Sequence, residues 1–125
     1  MSGRREMADA MFQLAITHEK EVASKDPSVR VRVHEARVLR AFASGDFAAA
    51  VTLADELVRG LTDLGDVRSV AMHRSNQGVA LNAMGAYGEA ERTLRAALEA
   101  AEPLGLARAL CAIQQNLGFS LAHTG

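Results

Sequence analysis

The chain has 125 residues and a formal net charge of −1, with fourteen Lys and Arg against fifteen Asp and Glu, so it lacks the basic footprint of a nucleic-acid binder. Its residues are 49% apolar but only 4% aromatic, with no Trp, a balance that allows one modest core built from closely packed helices and argues against a sheet. The single cysteine excludes a disulfide within the chain, and no apolar stretch has the length of a membrane span or the placement of a signal peptide, so a cytoplasmic setting is expected.

A first helix is predicted over residues 5–23, with Met7, Met11, Leu14, His18 and Val22 along one face at helical spacing. Asp26-Pro27 then supplies an N-cap followed by proline at the first helical position, where a missing N–H costs nothing. That helix runs to about Ser44 and stops at Gly45; its basic stretch, 30–40, also holds Glu35 and reads as a solvated face. Asp46 caps a helix over 47–64 that ends at Gly65, and Asp66 opens another that ends at Gly85. Residues 87–102 form its partner, 103–105 make a junction around Pro103, and a last helix covers 107–123. Cys111 falls in an apolar part of that helix and is expected to be a buried, inert thiol.

Gly45, Gly85 and Gly125 recur at an offset of 40 residues. The same offset pairs Phe47 with Tyr87, Ala50 with Ala90, Leu64-Gly65 with Leu104-Gly105, Arg68 with Arg108, Asn76 with Asn116, Gly78 with Gly118 and Leu81 with Leu121. Short glycine turns between helices of this length make antiparallel neighbours, and identical hairpins at a constant offset stack on one another. The expected fold is therefore all-α: an alpha-alpha superhelix, a right-handed solenoid of about six helices in antiparallel hairpins. It is expected as a single domain over 1–125, divided into an N-terminal helix (1–25), one repeat (26–65), a second (66–105) and the first helix of an incomplete third (106–125).

The run Asn76-Gln77-Gly78, with Leu81, Gly85, Tyr87, Ala90, Leu94, Ala97-Leu98 and Pro103, resembles a tetratricopeptide repeat. Val38, Ala41, Gly45, Phe47, Ala50, Ala54 and Leu57 are a fainter copy, and Asn116-Leu117-Gly118, Leu121 and Gly125 are the first half of another. His34, Arg74 and Gln114 stand where that family carries an early aromatic, and the long period resembles its longer-helix subgroup. The resemblance implies that Gly78 in a first helix meets Ala90 in a second, while Tyr87, Leu94 and Leu98 fill the space between hairpins. It also implies a concave groove, lined by the first helix of each repeat, that holds a peptide or a partner's helix.

Transferred to this chain, that groove presents Arg32, Glu35, Leu39 and Phe42, then Met72, Ser75, Asn76, Val79 and Asn82, then Gln115, Asn116, Phe119 and His123, of which Leu39, Phe42, Asn76, Val79, Asn82, Gln115, Asn116 and Phe119 are the expected binding residues. Apolar and neutral amide side chains together suit an extended peptide, whose backbone needs donors and acceptors at once. Asn76 and Asn116 are the sharpest pair, with a bond to a neighbouring helix, or exposure to solvent, as the competing reading of each. The four histidines, His18, His34, His73 and His123, show no pair three or four apart, so no metal site is expected. Neither a phosphate loop nor a catalytic constellation is apparent, and neither enzyme activity nor a cofactor is expected. The expected function is a protein- or peptide-binding scaffold, with no nucleic-acid or membrane partner. The last helix lacks a covering neighbour and the first resembles the second half of a hairpin. Self-association as a homodimer through the terminal helices, or a place within a larger regulatory protein, is therefore the alternative.

Overall fold

A computed structural model describes residues 2–22 and 26–124, with side chains described for 3–14 and 26–124. Gly125, Ala23 and the side chains of His18 and Val22, all invoked above, lie outside the described residues. The described residues form six α-helices and one 3-10 turn, with no strand among them. They divide into two compact units, Met1–Leu64 and Gly65–Gly125. The division falls at the glycine turn between the two expected full repeats.

The first unit holds α1 (Ser2–Val22), α2 (Pro27–Ala43) and α3 (Phe47–Asp63). Asp26 caps α2: its carboxylate accepts from the Ser28 N–H at 2.9 Å and the Ser28 hydroxyl at 2.7 Å. Those bonds favour the ionised form, so they hold the Asp26 carboxyl below the ordinary carboxylate range. At the other end of α2, Gly45 (φ +75°) donates its N–H to Phe42 O and Asp46 donates to Ala41 O, a Schellman closure that needs the left-handed conformation glycine accepts. Asp46 then turns its side chain to the next helix and accepts from the Ala49 N–H at 3.1 Å. One residue thus seals α2 and opens α3.

Packing across the α2–α3 hairpin is antiparallel. Val31 lies opposite Gly60, His34 Nδ1 sits 3.6 Å from Glu56 Oε2, and the Phe42 and Phe47 rings meet edge to face at 6.0 Å beside the turn. Val29, Val31, Val33, Val38 and Ala41 of α2 are buried with Ala50, Ala54, Leu57, Val58 and Leu61 of α3. Arg30, Arg32 and Arg40 are exposed while Glu35 and Arg37 are half-buried, so only part of the basic stretch forms the solvated face expected of it. Arg40 also ties α1 to α2, with Nε 2.9 Å from Asp9 Oδ1 and the guanidinium 4.6 Å from the Phe12 ring centroid.

The second unit holds α4 (Val67–Ala83), α5 (Tyr87–Ala101), a 3-10 turn (Glu102–Leu104) and α6 (Ala107–Thr124). Asp66 caps α4 through the Ser69 N–H and hydroxyl, at 3.2 and 2.7 Å, and its pKa is lowered as a result. Ala86, the counterpart of Asp46, has no side chain with which to cap α5. α4 closes as α2 does, with Gly85 and Ala86 donating to Asn82 O and Leu81 O. α5 packs on both α4 and α6, and α4 also touches α6 directly.

A Cβ built on Gly78 would lie 2.5 Å from Leu94, so the side chain that comes nearest this glycine in the α4–α5 hairpin is that leucine. Leu94 is 0% exposed and fills the hairpin itself; the missing Cβ of Gly78 makes room for its branched end. Cys111 is exposed, not buried. Its counterparts Val31 and Ala71 are both buried, each in a hairpin whose second helix is present, whereas no following helix lies beside α6 among the described residues.

Candidate functional site

Five of the eight expected binding residues come together in the second unit. Val79, Asn82, Gln115, Asn116 and Phe119, with Ala83, enclose a hollow of about 330 Å³ between α4 and α6. Helical spacing puts Val79, Asn82 and Ala83 on one stripe of α4, and Gln115, Asn116 and Phe119 on one stripe of α6. Because α4 and α6 are neighbours, those two stripes share one concave surface.

Asn82 is 8% exposed, and both ends of its amide are engaged. Its Nδ2 donates to Asn116 O at 3.2 Å, and its Oδ1 accepts from the Ser120 hydroxyl at 2.8 Å. Ser120, fully buried, lies within 3.1 Å of Asn116 O as well. Asn82 therefore fixes the spacing of the two walls, and buried polar groups satisfied in this way hold a surface in one arrangement. The Asn116 side chain is half-buried at the rim, and Asn76 is exposed and does not line this hollow.

Phe119 lines the hollow and belongs to a cluster of stacked rings. Phe119 and His123 are stacked with centroids 4.3 Å apart, and His123 stacks in turn on Tyr87 of α5 at 4.8 Å. His123 Nδ1 lies 2.8 Å from Phe119 O, and because a carbonyl can only accept, the ring donates there. The spacing of Phe119 and His123, four residues apart on one helix, was readable from sequence; the arrival of Tyr87 from another helix was not. At the opposite end of the same pair of helices, Met72, Leu106, Ala107 and Ala109 line a second hollow of about 470 Å³ flanked by Arg68 and Arg108.

The remaining two expected residues lie in the first unit. Leu39 is exposed and lines a hollow of about 250 Å³ between α1 and α2, while Phe42 is half-buried against Phe47.

Among the described residues, no group of three or more His, Cys, Asp or Glu side chains is placed to hold a metal ion. No helix among them is long and apolar enough to cross a membrane. Comparison with protein-family models, with curated proteins and with solved structures gives no match to this chain.

Proposed function

We propose that the second unit is a tetratricopeptide-like binding module that holds a short extended peptide along the line where α4 and α6 meet. The observation that carries this reading is the polar and apolar make-up of the 330 Å³ hollow, with walls held at a fixed spacing by Asn82, Ser120 and Asn116. Gln115 and Asn116 offer amide donors and acceptors to a peptide backbone, while Val79 and Phe119 offer apolar contact to a side chain. Arg68 and Arg108 at the far hollow favour an acidic group. Met72 and Asn82 are ten positions apart on α4, about 15 Å along the helix, which matches about five residues of extended chain. The favoured ligand is thus a peptide with an acidic residue at one end and a large apolar one at the other. This is a non-catalytic role, and it fits a cytoplasmic scaffold.

A display library of short peptides panned against the purified chain tests it, with affinities of the enriched sequences measured by fluorescence anisotropy. Enriched sequences should carry that acidic and apolar pairing. Phe119→Ala and Asn116→Ala should each weaken binding about tenfold, Arg68→Ala with Arg108→Ala should remove its salt dependence, and exposed Asn76→Ala should change little. Failure to enrich any motif, or binding indifferent to Phe119 and Asn116, rules the reading out. The exposed faces of α1 and α6 favour the second reading, self-association through the terminal helices.

A further inference from the structure

The two hollows of the second unit differ in charge. The one lined by Asn116 and Phe119 holds no ionisable side chain, whereas the one at the other end of α4 and α6 holds two, both arginines. Arg68 and Arg108 are 40 residues apart and take the second position of α4 and of α6, so the repeat register brings both to one end of one groove. Both are exposed, and neither forms an ion pair with a described residue. Two like charges that share one hollow repel each other, and an anion seated between them reverses the sign of that interaction.

A departure from the repeat leaves this charge unopposed. Asp26 and Asp66 are the N-caps of α2 and α4, 40 residues apart, and the next place in that series is Leu106. Leu106 lines the hollow, so an aspartate there would have set a carboxylate in its wall. Asp66 does not line the hollow, and its carboxylate accepts from the N–H and the hydroxyl of Ser69. Those two bonds act on it more strongly than Arg68 does. The remaining wall, Met72, Leu106, Ala107 and Ala109, is apolar.

The amount of charge selects the ligand. An aspartate or glutamate brings one negative charge and two oxygens, which suit the fork of a single guanidinium. A phosphorylated serine or threonine brings a charge of about −1.5 to −2 and three acceptor oxygens, which suit two guanidiniums arriving from different helices. We propose that the acidic residue of the bound peptide is a phosphoserine or phosphothreonine held between Arg68 and Arg108, so that phosphorylation of the partner controls its capture. This rests on the peptide reading of the groove and adds to it the identity of one residue and a means of regulation. A phosphopeptide is favoured over a free phosphate because both hollows lie along the same two helices, about five extended residues apart.

Fluorescein-labelled peptide pools of about five residues test it on the full chain by anisotropy. Each pool fixes leucine or phenylalanine at one end and phosphoserine, glutamate or serine at the other, with random residues between, in both chain directions. The phosphoserine pool should bind at least about tenfold more tightly than the glutamate pool, and the serine pool most weakly. Arg68→Gln and Arg108→Gln, both at exposed positions, should each remove most of that margin. Leu106→Asp supplies the aspartate missing from the series of caps, so circular dichroism should retain its helix content while the added carboxylate abolishes the margin. Equal binding of the phosphoserine and glutamate pools, or a margin that survives both arginine substitutions, overturns the phosphoryl site and leaves the peptide hollow standing. Binding of none of the pools overturns both.

Discussion

Single carboxylates set where the helices begin. Asp26, Asp46 and Asp66 each accept a bond from a backbone N–H in the first turn of the helix that follows, and Ala86 stands where the series lacks its acceptor. Ala86→Asp should therefore stabilise the second unit by about 0.5–1 kcal/mol, read as a higher midpoint in urea. The same caps define an acid response. Asp26 and Asp66 have pKa values lowered in the folded chain, chiefly by the hydroxyls of Ser28 and Ser69. A lowered folded value means that the unfolded chain binds the proton more tightly, so this contribution is fully present above the ordinary aspartate value of about 3.9 and is lost as pH falls through the lowered one. Ser28→Ala and Ser69→Ala should flatten the loss of stability below about pH 4, measured by thermal melts between neutral and acid pH.

At the level of helices, two glycines of the same register should respond with opposite signs. Gly78→Ala forces a methyl into Leu94, which is fully buried and has nowhere to go, and overpacking of about 1–3 kcal/mol exceeds the gain of about 1 kcal/mol in helix propensity. Gly118→Ala meets nothing, so in dilute solution it should stabilise α6 by up to about 1 kcal/mol. Paired urea titrations of the two variants decide this. On α6, Ser120→Ala leaves the Asn82 Oδ1 buried without its donor and should cost about 1–3 kcal/mol. Helix limits were legible in the sequence because Asp, Pro and Gly act on their own chain neighbours, and each limit given by the structure lies within a few residues of expectation. Partners across helices were not. That Gly78 receives Leu94, that Asn82 is held by Ser120, and that Tyr87 reaches His123 depend on how two helices are rotated against each other, which a 40-residue spacing leaves open. Cys111 was misjudged for the same reason: an apolar neighbourhood along the chain does not reveal whether another helix lies across it. Of the eight residues expected at the site, five share one hollow because neighbouring stripes on α4 and α6 follow directly from helical spacing.

Across the whole molecule, the three junctions described at Gly45, Gly85 and Gly105 are not equivalent. At Gly45 and Gly85 the N–H that finishes one helix belongs to the residue that starts the next, at Asp46 and Ala86. The Glu102–Leu104 turn instead interposes Pro103 and a 3-10 stretch before Gly105. Lengthening the chain by one residue at either of the first two places would part a helix stop from a helix start, so those loops have no slack. A tag or a fluorophore-bearing linker therefore belongs beside Pro103, where neither neighbouring helix borrows its terminus from the other.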